Sequence, residues 1–185
     1  MSDMPTWPLD ERGGLVLNAA PLTDLFVDPR ATKTVLNAQP VLATVSGDFV
    51  LSARVGVDFK ATFDAAVLVV WTHEHAWAKL CFEYSPQGQP MVVSVVTRGV
   101  SDDCNSFVVD GTLVWLRVAR VSPAFAFHAS LDGQQWEFVR HFAFDAPEAV
   151  DVGFLAQSPT GQGCAATFDT IRFERRALAD LRNGE

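Results

Sequence analysis

The stretch Ala76-Trp77-Ala78-Lys79-Leu80-Cys81-Phe82-Glu83-Tyr84 decides the fold class. Side chains alternate between the two faces of a β-strand, so Leu80, Phe82 and Tyr84 share one face and Trp77, Lys79, Cys81 and Glu83 the other. Working outward, the same period-2 pattern recurs at 14–18, 49–58, 65–71, 91–98, 113–121, 125–131, 137–142, 150–157 and 165–174. That makes about ten strands, at the spacing of a sandwich or barrel.

Turn residues separate the strands. Ser85-Pro86-Gln87-Gly88-Gln89 and Leu131-Asp132-Gly133 place Gly or Asp where a hairpin needs positive φ. Ser158-Pro159-Thr160-Gly161-Gln162-Gly163 reads as a longer connection. No segment before residue 175 carries a helical stripe; residues 175–182, with Ala177, Leu178 and Leu181, allow a terminal helical turn or a frayed tail. No internal repeat or linker interrupts the pattern. The expectation is a single all-β domain over residues 10–175, with an N-terminal extension (1–9) and a C-terminal tail (176–185).

Composition agrees and excludes several functions. Of 185 residues, 49% are hydrophobic and 19% charged, which rules out disorder and supplies a sizeable core. Fourteen Lys+Arg against 22 Asp+Glu give a net charge of -8. A nucleic-acid binder needs a basic footprint, so no nucleic-acid partner is expected. Anionic membrane surfaces would repel the same charge, and no apolar run approaches the ~18 residues of a span. Cys81, Cys104 and Cys164 are odd in number and far apart, with no zinc-ligand spacing. Met1-Ser2-Asp3-Met4-Pro5 has neither the basic nor the apolar region of a secretory signal. A cytoplasmic location is expected.

Three strands carry one greasy face and one mixed face. Beside 76–84, strand 113–121 sets Leu116 and Val118 against Trp115 and Arg117, and strand 124–130 sets Phe125 and Phe127 against Ala126, His128 and Ser130. Trp beside Lys, Glu and Arg is unlike an ordinary solvent face of Lys, Glu, Ser and Thr. Such rings stack on the apolar side of a pyranose while charged groups take its hydroxyls. The alternative is that the rings cover a sheet edge or a loop and the charges pair among themselves.

At Trp77-Ala78-Lys79-Leu80-Cys81-Phe82-Glu83 the chain resembles the YesU-type family, also labelled "regulation of enolase protein". Further matches are Thr23-Asp24-Leu25-Phe26, Gly47-Asp48-Phe49, Val95-Val96-Thr97-Arg98-Gly99, Ser101-Asp102-Asp103, Trp115-Leu116-Arg117-Val118-Ala119-Arg120, Leu131-Asp132-Gly133 with Trp136, and Gly153-Phe154 with Ala156-Gln157-Ser158-Pro159. The resemblance implies a concanavalin A-like lectin/glucanase jelly roll: two antiparallel sheets, one concave, with glycans held on the hollow face. It implies no particular reaction.

Chemistry narrows the choice. Glycoside hydrolysis uses two carboxylates about 5–5.5 Å apart for retention or ~6.5–9.5 Å for inversion. The ExDxxE-type strand of glucanases with this fold is missing here, so a partner for Glu83 would come from Asp28, Asp102 or Asp103. Residues i and i+4 on a strand are about 13 Å apart, so Lys79 and Glu83 meet only by leaning together or through a ligand. The expected ligand is a carbohydrate or sugar acid. Trp77 and Trp115 would stack on it, Lys79 and Arg117 would take anionic or hydroxyl oxygens, and Glu83, Thr97, His128 and Asp102 would orient it. The alternatives are a sugar- or uronide-active enzyme using Glu83 as acid or base with Lys79 as its charge partner, and a regulatory protein-interaction module.

No cofactor is expected. His73-Glu74-His75 sets two imidazoles at i,i+2 without a third ligand and reads as a solvated turn. Cys81 reads as a small buried filler rather than a nucleophile. Ser101-Asp102-Asp103-Cys104-Asn105-Ser106 reads as a polar loop, whose acids cap turns, reach over the hollow face or hold a calcium ion with oxygen ligands. An exposed Trp-rich sheet would also suit a homodimer contact.

Overall fold

A computed structural model describes residues 4–185. Fourteen strands follow in order: β1 (Leu15–Asn18), β2 (Leu25–Val27), β3 (Thr34–Leu36), β4 (Val41–Ser46), β5 (Phe49–Val57), β6 (Ala65–His73), β7 (Ala76–Tyr84), β8 (Pro90–Arg98), β9 (Val100–Val108), β10 (Leu113–Val121), β11 (Ala124–Ser130), β12 (Glu137–Phe142), β13 (Ala149–Gln157) and β14 (Ala165–Glu174). They form two six-stranded antiparallel sheets, β1-β14-β5-β10-β11-β12 and β4-β13-β6-β7-β8-β9, with β2 and β3 as a separate hairpin. The fold is the expected concanavalin A-like jelly-roll β-sandwich, and no helix occurs among the described residues.

Alternation builds the core. From the first sheet, Leu51 and Val55, Leu116 and Val118, and Phe125 and Phe127 point inward; from the second come Leu68, Leu80, Phe82, Val92 and Phe154, all fully buried. Each large apolar side chain so removed from water contributes roughly 1.5–3 kcal/mol. The N-terminal segment joins this core: Trp7 meets Phe154 edge-on at 5.3 Å and donates from Nε1 to the Val152 carbonyl at 3.1 Å. Met1, Ser2 and Asp3 of the expected extension lie outside the described residues. The two anticipated hairpin turns hold Gly88 and Gly133 at φ of 74° and 73°.

Four strands go beyond the sequence expectation. The supposed polar loop from Ser101 to Ser106 lies within β9, which pairs along β8 as the edge of the second sheet. Its Asp, Asn and Ser content is poor in strand propensity, yet polar, exposed side chains suit an edge that must not pair with another molecule. Strands β2 and β3, of three residues each, are too short to show a period, and β4 opens on Val41, Leu42 and Ala43, three consecutive apolar residues that hide its alternation. Hairpin β2–β3 lies over the outer face of the second sheet: Leu25, Leu36 and Ala38 pack with Trp77, Cys81, Val93 and Val95 into a second apolar layer. The tail forms turns rather than a helix, and its Leu178 packs on Val50 and Ala119.

Candidate functional site

The mixed face of β7 is the outer face of the second sheet. In-register pairing sets Trp77 beside Thr97, Lys79 beside Val95, Cys81 beside Val93 and Glu83 beside Met91. Where the β2–β3 hairpin stops short of covering this face, a cavity of about 150 Å³ remains, lined by Asp24, Phe26, Phe63, Lys79, Glu83, Val93, Val95, Asp103 and Gln157. Typical small-molecule pockets hold about 300–1,000 Å³, so this one takes a small molecule or the tip of a larger one.

Lys79 forms the floor. It is 2% exposed, and its Nζ donates to Asp24 Oδ1 at 3.0 Å and to Gln157 Oε1 at 2.8 Å. Burial alone would push the ammonium pKa down; the facing acids, led by Asp24, outweigh it and hold the pKa above the ordinary lysine value. Asp24 is itself anchored: its backbone N–H donates to Asn37 Oδ1, and its carbonyl accepts from the backbone N–H groups of Asn37 and Ala38. Glu83 is half-buried. Burial raises its pKa to about 7, the Lys79 ammonium opposes that rise, and the carboxylates of Asp24 and Asp103 add to it. Glu83 therefore exchanges a proton near neutrality, as a general acid or base requires.

Of the two aromatic walls, Phe26 comes from β2 and Phe63 from outside the strands. Phe63 adopts φ of 70°, a left-handed conformation unfavourable for a bulky residue. The surrounding loop enforces it: Asp64 accepts from the N–H groups of Lys60 and Ala61 and from Ser158 Oγ, while Phe63 N–H donates to the Tyr84 carbonyl. Backbone strain of this kind gathers at functional sites.

The structure divides the residues expected to share one face. Lys79 and Glu83 do line the cavity. Trp115, Arg117 and His128 lie on β10 and β11 of the other sheet, so their outer face points the opposite way. Each strand's inside and outside read correctly; the shared hollow face does not survive, because alternation does not say which sheet a strand joins. Trp77 is fully buried, stacked on Trp71 at 6.2 Å and 10° with its Nε1 donating to the Glu74 carbonyl, and has no free face for a sugar ring. Thr97 is buried and hydrogen-bonded to Ser101 Oγ at 2.9 Å. Asp102 turns toward the first sheet and pairs with Arg140 at 3.1 Å; its neighbour Asp103 takes the cavity position instead. Asp28 is spent closing the β2–β3 turn, accepting from Arg30 N–H and from Thr32 Oγ1.

Other sequence candidates settle as structural parts. Burial pushes the Cys81 thiol far above its ordinary pKa, so it is no thiolate nucleophile. His128 Nε2 donates to the Leu181 carbonyl at 2.7 Å, and burial lowers the ring pKa to about 4, which keeps it neutral. His73 and His75 have ring centroids 6.2 Å apart, and no cluster of three metal-ligating side chains occurs among the described residues. Sequence reasoning missed Phe26, Phe63 and Gln157 as cavity residues. Gln157 ends an apolar strand, a position at which a lone polar side chain is a usable signal; Phe63 gives none.

Fold and cavity together define a concanavalin A-like β-sandwich with a small acidic pocket on the outer face of one sheet. Within that class the chain belongs to the DUF1349 family, described as a protein of unknown function, whose model matches residues 2–176. Among curated proteins none matches. A functionally unknown protein from Saccharomyces cerevisiae superposes with a TM-score of 0.83 at 24% identity, covering 92% of this chain and 95% of that one. A GH43 protein from Bacillus licheniformis gives 0.72 at 19% identity over 92% of this chain; the present chain spans only 35% of its length. The alginate lyase from Klebsiella pneumoniae gives 0.59 at 13% identity, covering 96% and 86% of the two chains. At such identities the likeness is one of fold.

Proposed function

We propose that the protein binds a carbohydrate, as a neutral sugar or the end of a glycan, in the cavity over Lys79 and Glu83. The observation that carries this reading is the lining itself. Asp24, Glu83, Asp103 and Gln157 offer hydroxyl partners around one buried ammonium, with Phe26 and Phe63 as apolar walls. A few convergent polar groups in an apolar concavity is the general form of a small-molecule site. Three carboxyl groups against one ammonium, already engaged by Asp24 and Gln157, favour a neutral polyol over a uronate here. The names of the GH43 and alginate lyase structures lend this reading support by analogy of fold.

A second reading, catalysis on that sugar, is favoured by one observation: Glu83 is partly buried beside two further carboxylates, Asp24 and Asp103, and burial first of all pushes its pKa up to about 7. Glu83 would act as acid or base, with Asp24 or Asp103 as the second carboxylate that glycoside hydrolysis calls for. Titration of 15N-labelled protein with neutral mono- and disaccharides tests both readings. Shifts confined to residues around Lys79, weakened in Glu83→Gln, are expected for binding. Absence of any shift with neutral sugars would overturn the site. Turnover of a bound sugar by the parent but not by Glu83→Gln establishes the catalytic reading.

A further inference from the structure

On the opposite side of the sandwich, a cleft of about 290 Å³ opens on the outer face of the first sheet, over Ser52, between Trp115, Trp136, Thr170 and Arg172. Register places Arg172, Ser52, Arg117 and His128 side by side on β14, β5, β10 and β11. Directly paired residues share a face and strands lie about 4.8 Å apart, so Arg172 and Arg117 flank Ser52 with roughly 10 Å between their Cα atoms.

Both guanidiniums lack an acceptor. Arg117 is 4% exposed, yet its Nε and Nη2 are buried without a hydrogen-bond partner. Burying such donors unpaired is costly, and native structures rarely do so without a reason. Its guanidinium lies 4.2 Å from the Trp136 ring, which also walls the cleft, and a Cβ on Gly184 would come within 2.6 Å of Nη2. Arg172 is exposed, and its side chain has no hydrogen bond or ion pair among the described residues.

Three carboxylates around the cleft already have partners of their own. Asp169 is held by Arg54 through a two-pronged contact at 2.8 and 2.9 Å, and Glu174 by Arg176 at 2.7 Å. Asp132, at the other end of the cleft, accepts from the N–H groups of Gln134 and Gln135 and from Ser130 Oγ. Asp169 and Glu174 are each neutralised by an arginine, so in a chain of net charge -8 the two guanidiniums stand against the single Asp132 carboxylate of the cleft lining, beside two indoles. The backbone is also irregular there. Pairing of β14 with β5 breaks between Asp169 and Arg172, and Thr170, a β-branched residue in the cleft wall, sits at φ of 51°. Such a bulge re-aims the side chain that follows it, here Arg172.

We propose that this cleft is a second ligand site, which binds a small organic molecule through its oxyanion, a carboxylate or a phosphate. Arg172 contacts the oxyanion directly. Arg117 supplies charge from beneath Trp136, and its free Nε and Nη2 come within reach as Trp136 or residues 181–185 give way. Trp115 and Trp136 pack against the organic part of the ligand.

The test titrates the full chain with glucuronate, glucose 6-phosphate, inorganic phosphate and neutral glucose, following indole and amide NMR signals. Millimolar-range binding of at least one of the two anionic sugars is expected, with perturbed Trp115 and Trp136 indole signals. Glucuronate against glucose 6-phosphate distinguishes a carboxylate from a phosphate ligand. Loss of one charge-assisted hydrogen bond in Arg172→Gln should weaken binding about tenfold. Glu83→Gln, on the other face, should leave it unchanged, which separates this site from the carbohydrate pocket. Arg172 is exposed, so that variant folds even if Arg117→Gln does not. No perturbation of the Trp115 and Trp136 indole signals by either anionic sugar, an equal perturbation in Arg172→Gln, or an equal perturbation of those indoles by neutral glucose would each overturn the proposal.

Discussion

Lys79 and Asp24, 55 residues apart in the chain, form an ion pair with Nζ 3.0 Å from Oδ1 on the floor of the cavity. One partner comes from a nine-residue strand and the other from the segment that leads into the covering hairpin. The pair therefore fastens the hairpin to the sheet, and the cavity exists because that hairpin is held in place.

Breaking the pair should cost stability as well as ligand. Removing one partner of a buried ion pair typically costs ~3–5 kcal/mol, because the other charge is left without compensation. Lys79→Met leaves Asp24 beside Glu83 and Asp103 with no counter-charge, so a loss within that range is expected in urea unfolding. An unchanged midpoint would show that the hairpin is held by Leu25 and Ala38 alone.

Glu83 should make the fold less stable as pH rises. Its pKa is about 7 in the fold against 4.5 for the free group, so the folded state holds the proton more tightly. The Glu83 contribution is then fully present below pH 4.5 and is lost as pH rises through about 7. Glu83→Gln should remove this slope, and melting temperatures across that window measure it.

His128 acts in the opposite sense. Burial lowers its pKa from 6.5 to about 4, so its contribution is present above pH 6.5 and lost as pH falls through 4. The two slopes oppose each other between 4.5 and 6.5 and flatten the parent's pH profile there. His128→Gln should expose the falling slope of Glu83, and Glu83→Gln the rising slope of His128. Parallel profiles for both variants would contradict the assignment.

Gly153 has no room for a methyl group. A Cβ there would sit 1.9 Å from the Val41 carbonyl oxygen, across the pairing of β13 with β4, and 3.1 Å from Trp7 Nε1. Gly153→Ala should therefore destabilise the protein by about 1–3 kcal/mol, the usual range for overpacking. Loss of protection from hydrogen exchange along β4 would locate the damage.

Which residues look inward was legible in the sequence. Alternation in β7, β10 and β11 separates Leu80, Phe82, Leu116, Val118, Phe125 and Phe127 from Trp77, Lys79, Glu83, Trp115, Arg117 and His128, because period 2 is a local property of extended backbone. Glycines at turns marked the hairpins for the same local reason. That β7 belongs to one sheet and β10 and β11 to the other emerged with the folded chain, since strand pairing depends on contacts far apart in the sequence. That division sends Lys79 and Glu83 to one side of the molecule and Arg117 with Arg172 to the other. It also buries Trp77 under a hairpin too short to show a period, brings Asp24 to Lys79, and forces Phe63 into a left-handed turn that no local pattern announces.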